Sequence, residues 1–176
     1  LITGLYLPDE GEISVDGQKI QGNDLGQYIS AVYSDYYLFK KLYGIEHEKK
    51  QDVINKYLSV LDIKDKVSIS NGELSTIKLS TGQKKRLALL ISYLEDRPIY
   101  LFDEWAADQD PEFRKFFYLK LLPEMKQRGK CIIAITHDDR YFKGADKVIK
   151  MESGKVISSY SNYCNTKYIG ELEEVL

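Results

Sequence analysis

The sequence predicts an α/β fold built on a mostly parallel sheet, and two observations support this prediction. Helical and strand patterns alternate along the second half of the 176-residue chain, an order that is typical of parallel sheets. The two strands in that half, residues 99–102 and 131–136, are unbroken apolar runs. Such runs are expected where helices cover both faces of a sheet, so we expect both strands to be buried.

The first residues predict a helix end, a turn and a short hairpin. Residues 1–5 are apolar and have no start signal before them, so they predict the end of a helix that a glycine terminates. Residues 8–11 predict a turn, and residues 12–16 alternate as a strand that reaches the hairpin signal Asp16-Gly17. We therefore expect further sequence upstream.

A second strand at residues 29–33 precedes a charged, amphipathic lobe at about 36–78. Residues 46–61 predict the main helix of this lobe, because their apolar residues have the spacing of one helix face. We therefore expect a small helical lobe. The apolar positions of its helix are Val53, Ile54, Tyr57, Leu58 and Leu61.

The second half predicts two helices and a final hairpin around its strands. One helix covers about residues 82–95. Another begins at Pro111, which Asp110 precedes as a favourable N-cap, and Pro123 should kink or split it. Short antiparallel hairpins thus accompany the parallel sheet. The last hairpin comprises residues 147–151 and 155–159 around Ser153-Gly154.

Composition and charge exclude several functions. The formal net charge is −2 and the isoelectric point is about 5.8, so no strong cationic field indicates a nucleic-acid partner. The richest apolar run, residues 87–94, is too short for a membrane span. Cys131 and Cys164 do not form a disulfide framework and fit a reducing compartment. We expect one domain at residues 1–159 and a tail of unknown role at 160–176.

Two carboxylates, Asp103 and Glu104, follow the apolar strand 99–102. The carboxyl end of a parallel strand is where α/β proteins bind ligands. Phosphoryl transfer needs one acid to hold Mg²⁺ and a second group to orient and deprotonate the attacking water. Asp103 would hold the metal, and Glu104 would orient and deprotonate the water. Taken alone, the pair is better explained as solvated turn residues, so a second motif has to support it.

The second motif is Leu79-Ser80-Thr81-Gly82-Gln83, which precedes an apolar helix. Ser80 and the backbone at Gly82 crown the helix N-terminus, whose free N–H groups and dipole favour a phosphate. A capped helix without a ligand also explains Ser80, but not a glycine in the first turn, where glycine weakens a helix. The segment resembles the signature motif of ABC ATPases. The resemblance implies a P-loop NTPase-like domain in which Ser80, Gly82 and Gln83 contact ATP.

Two further residues match the same family. His137 follows strand 131–136 and resembles the switch histidine, whose imidazole can hydrogen-bond both the γ-phosphate and water. Asp110 ends a segment similar to the D-loop, which implies that this helix cap also faces a partner subunit. The family's phosphate-binding loop is expected upstream of Leu1. We therefore expect residues 1–176 alone to bind ATP weakly.

Longer strings narrow the resemblance to one group. They are similar to the cyclic peptide export ABC transporters, which handle siderophore precursors, lipopeptide toxins and lasso-type microcins. This group lacks the usual glutamine of the Q-loop, and Ser34 stands at that place. Asp35 is then either a ligand of Mg²⁺ or of a metal-bound water, or a loop residue near a membrane domain. The strings are residues 95–98, 103–114 and 137–142.

The resemblance implies a homodimeric exporter at the cytoplasmic face of the bacterial inner membrane. Two copies would face each other head to tail, with each ATP between Asp103, Glu104 and His137 of one copy and the signature motif of the other. A transmembrane domain in the same polypeptide would carry the peptide cargo. ATP-driven closure would then reorient its helices.

Two alternatives to an exporter remain at this point. A non-transport ABC ATPase that acts in DNA repair or on ribosomes shares all these nucleotide motifs. DNA-repair members carry long coiled coils where this chain has residues 35–78, which suit only a small helical lobe. A degenerate domain that does not hydrolyse ATP is the other alternative. The intact Asp103, Glu104 and His137 argue against it.

Overall fold

The computed structural model describes residues 3–6 and 8–162 and divides the chain into two compact units. The first unit ends at Thr136 and the second begins at His137. The helix end predicted at residues 1–5 and the tail predicted at 160–176 lie partly outside the described residues. In the described part of the chain, no helix has the length and apolar character needed to cross a bilayer.

The elements follow the predicted order. The first unit contains β1 (Ser14–Val15), β2 (Gln18–Lys19), α1 (Gly22–Leu25), β3 (Ile29–Val32), a 3₁₀ turn (His47–Lys50), α2 (Gln51–Val60), β4 (Ile69–Ser70), β5 (Glu73–Leu74), α3 (Thr81–Glu95), β6 (Ile99–Asp103), a second 3₁₀ turn (Trp105–Asp108), α4 (Pro111–Phe116), α5 (Leu122–Gln127) and β7 (Cys131–Ile135). The second unit contains a 3₁₀ helix (Asp139–Gly144), β8 (Lys147–Glu152) and β9 (Lys155–Ser161), which pair antiparallel.

A parallel sheet forms the centre of the first unit. β6 lies between β3 and β7 and pairs in parallel with both. The register places Ile29 opposite Ile99, and Asp103 opposite Ile135. This arrangement confirms the predicted α/β fold with a mostly parallel sheet.

The two faces of the sheet are covered by different elements. Tyr100 and Phe102 of β6 belong to a large core cluster with apolar residues of α2 and α3. Leu101, which points the other way, belongs to a small cluster with Leu25 and Ile29, against which the β1–β2 hairpin packs. In the described residues, helices therefore cover one face, while a hairpin and the four-residue α1 cover the other.

β7 is also more exposed than predicted. Cys131, Ala134 and Ile135 are exposed, and 47% of Ile135 is accessible to solvent. In the described sheet β7 is an edge strand that pairs only with β6. Ile132 packs against the large core cluster and Ile133 against the small one, so β7 has cover on both faces but, in the described residues, a strand neighbour on one side only. An apolar run alone therefore does not show that every residue of a strand is buried.

The main helix of the lobe buries the predicted face with one exception. Ile54, Tyr57, Leu58 and Leu61 are each less than 5% exposed, whereas Val53 is 37% exposed. One helical step of about 100° separates Val53 from Ile54, which turns its side chain away from the buried face. The prediction that Val53 lies on the same helix face as the other four residues was therefore wrong.

Three hairpins in the described residues share one turn geometry, with positive φ at both central positions, which is typical of type I′ turns. The first and last were predicted, but the β4–β5 hairpin was missed, although Asn-Gly is the strongest short-range hairpin signal. The lobe is therefore mixed rather than purely helical. The turns are Asp16-Gly17, Asn71-Gly72 and Ser153-Gly154.

The helix that follows Pro111 is interrupted, as Pro123 predicts. A π-helical segment, Phe117–Leu121, separates α4 from α5, and Pro123 lies in the first turn of α5. Leu121 and Leu122 keep right-handed helical φ and ψ, so the chain stays helical from α4 into α5, and the wider π turn lies next to the hydrogen bond that Pro123 cannot donate. Gly129, with φ of 78°, ends α5 in a Schellman motif and directs the chain into β7.

Candidate functional site

The two predicted carboxylates lie at the carboxyl end of the central strand. Asp103 is the last residue of β6, and Glu104 follows it with φ 49° and ψ 32°. This left-handed conformation is uncommon for a residue with a Cβ atom, so the surrounding structure has to hold it. The backbone N–H of Glu104 donates to the carbonyl of Ile135, the last residue of β7, at 3.0 Å. One end of the Glu104 backbone is therefore fixed to the sheet.

A buried lysine holds the other end. The ammonium of Lys85 donates to the Glu104 carbonyl at 2.8 Å and pairs with the Asp108 carboxylate at 2.7 Å. The side chain of Lys85 is only 2% exposed. In return, the indole N–H of Trp105 donates to the Lys85 carbonyl at 2.9 Å. The second turn of α3 and the segment after β6 are thus bonded in both directions.

Sequence reasoning missed Lys85 because it stands in a run of basic residues that suggests a solvated surface. The signal was present in the helical spacing. Lys85 lies four residues before Leu89 and seven before Ser92, and all three are buried on α3. A cation on a buried helix stripe requires a partner, which Asp108 provides.

Ser34 reaches the predicted metal ligand. Its hydroxyl and its backbone N–H lie 3.2 Å and 3.5 Å from Oδ2 of Asp103. Asp35, the other predicted metal ligand, is exposed. Its role in metal binding stays a prediction. Carboxylate and hydroxyl oxygens are the donors that Mg²⁺ accepts, and Mg²⁺ usually binds through one or two carboxylates together with phosphates and water. In the described residues no three acidic, histidine or cysteine side chains lie together as a group that could hold a metal ion.

The signature segment, residues 79–83, begins α3 as a complete capping box. The Ser80 hydroxyl accepts from the Gln83 N–H at 3.3 Å, and the Gln83 side chain accepts from the Ser80 N–H at 3.1 Å. Both side chains therefore stabilise the helix start, whatever else they bind. The structure places Ser80, Gly82, Gln83 and Asp110 around one open concavity of about 750 Å³. Its other lining residues are Asp62, Asp65, Lys66, Thr81, Arg86, Asp108 and Gln109.

Gly82 has a packing reason that the sequence did not show. A Cβ atom at this position would lie 3.0 Å from the Asp108 carbonyl oxygen and 3.7 Å from the Gln109 amide. The glycine thus lets the segment after β6 approach α3 closely. Packing thus explains a glycine in this turn without a ligand, so the expectation that a capped helix alone cannot explain it was wrong.

Arg86 and Gln109 complete the contact between α3 and the segment after β6. The buried Gln109 amide donates to the Gly82 carbonyl at 3.2 Å and accepts from Arg86 at 2.9 Å. Arg86 also donates to the Asp110 carboxylate at 2.7 Å, and its guanidinium lies 3.7 Å from the centre of the Phe113 ring. These residues align the D-loop-like segment with the start of α3.

Asp110 is the N-cap of α4, as predicted. Its carboxylate accepts from the backbone N–H of Phe113 at 2.8 Å. This hydrogen bond, with the charge of Arg86, holds the pKa of Asp110 below its usual value. Asp110 therefore stays ionised at neutral pH.

Tyr36 joins the Ser34 segment to the signature helix. Its hydroxyl donates to the Thr81 carbonyl at 3.2 Å. Burial, and then the nearby charge of Asp108, raise the pKa of Tyr36 to about 12, so the hydroxyl stays a donor at neutral pH. The segment of residues 34–36 is thus bonded at one end to Asp103 and at the other to α3.

His137 is described with the second unit, which begins at this residue. It follows the end of β7 by two positions, and its side chain is exposed. Its predicted approach to a nucleotide beside Glu104 therefore stays a prediction.

A parallel α/β core, a small lobe and a capped Leu-Ser-Thr-Gly-Gln helix beside strand-end carboxylates define the ATP-binding cassette class. The ATP-binding cassette MJ0796, solved as a dimer in a post-hydrolysis state bound to ADP and phosphate, matches with a TM-score of 0.73 and 19% identity, over 93% of this chain and 78% of its own. A family model described as ABC transporter matches residues 1–107. The chain belongs to the ABC transporter family, as the sequence predicts.

Two further proteins resemble the chain over nearly its whole length. It is 51% identical to the ATP-binding protein SyrD of Pseudomonas syringae pv. syringae in an alignment of 161 positions, which covers 88% of this chain and 28% of SyrD. A bacterial Atm1-family ABC exporter with ATP bound matches with a TM-score of 0.72 and 23% identity, over 98% of this chain and 32% of its own. The chain therefore spans between a quarter and a third of the length of these two proteins.

The packing of Gly82 gives a testable prediction. Gly82→Ala should gain about 1 kcal/mol of helix propensity but lose roughly 1–3 kcal/mol by overpacking against a backbone carbonyl. Because Lys85 and Gln109 hold that segment in place, we expect a net loss of about 1 kcal/mol in urea unfolding without nucleotide. Thr81→Ala, an exposed position in the same turn, should change the free energy of unfolding by less than about 0.5 kcal/mol. If Gly82→Ala were as stable as wild type, close packing would not explain the glycine, and only a ligand-binding role would explain it.

Proposed function

We propose that this chain is the ATP-hydrolysing part of an ABC exporter of cyclic or otherwise modified peptides. The observation that carries the hydrolytic role is the fixed left-handed conformation of Glu104, directly after Asp103 at the end of the central strand. A base and a metal ligand on adjacent residues of a rigid strand end can act on one phosphate and one water. The similarity to SyrD and to an exporter structure supports the transport role.

The peptide-export assignment is supported by the residues that set this group apart. One of the three strings that resemble the cyclic peptide exporters is residues 103–114. Within that string Trp105 is 1% exposed, stacks on Phe117 with ring centres 4.1 Å apart, and donates to α3. Within this string Trp105 is thus packed directly beside Glu104. The cargo would contact a membrane domain in the same, longer polypeptide, at the cytoplasmic face of the bacterial inner membrane.

In this mechanism each residue has one task. Glu104 would orient the attacking water and accept its proton on a carboxylate oxygen. Asp103, oriented by Ser34, would hold Mg²⁺, with Asp35 as a second candidate ligand. Mg²⁺, when bound, would offset the negative charge of the phosphates. His137 would donate a hydrogen bond to the γ-phosphate.

The second half of the site would come from another copy of the chain. Ser80, Gly82 and Gln83 line an open concavity rather than a closed pocket, so a ligand there has room for a second surface. The free N–H groups at the start of the 15-residue α3 suit the terminal phosphate of ATP. We therefore propose a head-to-tail homodimer that shares each ATP between its chains.

The structure of the lobe does not favour the DNA-repair alternative. Its main helix, α2, has ten residues, and the remainder contains a two-stranded hairpin. A long coiled coil needs several heptads, which α2 cannot supply. An exporter with a compact lobe therefore fits residues 35–78 better.

The role of Glu104 is tested in the full-length polypeptide. Glu104→Gln should slow ATP turnover by about 10²- to 10⁴-fold, the usual effect of losing a general base, and should leave ATP affinity nearly unchanged. Steady-state ATPase assays and nucleotide-binding measurements check this. Glu48→Gln removes an exposed carboxylate of the lobe and should retain wild-type turnover. Wild-type turnover in Glu104→Gln would contradict the assignment.

Sharing between two chains is tested with a mixed dimer. Ser80→Arg should block the nucleotide site that the partner supplies, while Glu104→Gln disables the site of its own chain. A tethered dimer with both changes on the same copy places one defect in each shared site and should be inactive. With the changes on different copies, both defects fall in one site and the other stays intact. Equal activity of the two arrangements would contradict sharing.

The proposed metal role of Asp35 is tested by titrating Mg²⁺. Asp35→Ala should raise the Mg²⁺ concentration for half-maximal ATPase activity, because an oxygen ligand is lost. Ser34→Ala, which keeps the Asp103 carboxylate, should change that concentration less. An unchanged Mg²⁺ requirement in Asp35→Ala, with ATPase activity now insensitive to transport substrate, would show instead that Asp35 serves the contact with the membrane domain.

A further inference from the structure

Lys85 is almost fully buried, although an ion pair does not require its lysine to be buried. Its side chain is 2% exposed, although its partner Asp108 is 47% exposed and could be solvated without it. A lysine loses favourable hydration on burial, so a buried ammonium is retained only where its contacts offset that loss. One of these contacts is the hydrogen bond to the Glu104 carbonyl at 2.8 Å.

That carbonyl sets the direction of the Glu104 side chain. Glu104 is held in the left-handed region by its N–H bond to Ile135 on one side and by Lys85 on the other. The Ala107 N–H also donates to this carbonyl, at 3.3 Å. A general base has to lie within about 2.6–3.2 Å of the proton it accepts, so a small rotation of this peptide displaces the carboxylate from a productive position.

We propose that Lys85 is a positioning residue for ATP hydrolysis, which fixes Glu104 through its carbonyl and fixes the following segment through Asp108. This inference rests on the proposed function of Glu104. Lys85 lies in the second turn of α3, between Gln83 and Arg86, which both line the concavity. In the proposed dimer, Glu104 of one ATP site is thus positioned by α3 of the same chain. The start of that helix contributes to the other ATP site.

The chain contains a matched control for this role. Lys130 donates to the carbonyl of Asp96 at 2.9 Å and pairs with its carboxylate at 2.8 Å, and its side chain is 15% exposed. Asp96 is also left-handed, with φ of 56°. This second lysine makes the same two kinds of contact before β6, at the end of the strand opposite Glu104.

Lys85→Met keeps the length and most of the volume of the side chain but removes both polar contacts. In the full-length polypeptide we expect kcat for ATP to fall about 10- to 100-fold, the effect of a misplaced catalytic group, and KM to stay within about twofold. Lys130→Met should retain wild-type kcat, with a shift in melting temperature similar to that of Lys85→Met. Lys85→Gln, which keeps a shorter N–H donor, should show the same pattern to a smaller extent and serves if Lys85→Met folds poorly.

A double-mutant cycle with Glu104→Gln decides the question. If Lys85 acts through Glu104, Lys85→Met should reduce single-turnover hydrolysis in the wild-type background and have little further effect in Glu104→Gln. An equal fold-reduction in both backgrounds, or an equal loss of kcat in Lys130→Met, would overturn the positioning role and leave the proposed function intact. Wild-type hydrolysis in Glu104→Gln alone would overturn the proposed function, and the positioning role with it.

Discussion

The parallel pairing of β6 with strands on both sides is the constraint on which the rest of the site depends. β3 and β7 fix β6 in register, and Tyr100 and Leu101 anchor it in a core cluster on each face. A strand held in this way has little freedom to shift, so Asp103 at its end is placed accurately. The contacts of α3 with residues 104–110 then hold the segment that follows the strand in place as well.

The sequence predicted the elements that have local signals. Caps, prolines and hydrophobic periodicity predicted α3, the split after Pro111 and two of the hairpins, because these features act over a few residues. The exposure of β7 could not be read from its apolar run, since exposure depends on which elements lie beside it. The β4–β5 hairpin was different: Asn71-Gly72 carried a clear signal that was not used.

The candidate site was predicted residue by residue, but its connections were not. Ser80 and Gln83 were expected to bind a nucleotide, and the structure shows that they also cap each other. The reason for Gly82 lies in a loop 26 positions further along the chain, at Asp108. Such contacts between distant segments leave no local pattern, so they could be found only once the fold had brought the segments together.

The register between β3 and β6 has a consequence for how the chain folds. Ile29 pairs with Ile99, 70 positions later, so the central ladder closes a loop that contains the whole lobe. The entropic cost of closing a loop rises with its length, by about 0.6 kcal/mol for each doubling. A lobe that is already compact, with its local β4–β5 hairpin formed, shortens the flexible part of that loop. Folding of the lobe thus favours the pairing that creates the strand end at Asp103, although the lobe contributes no residue to β6.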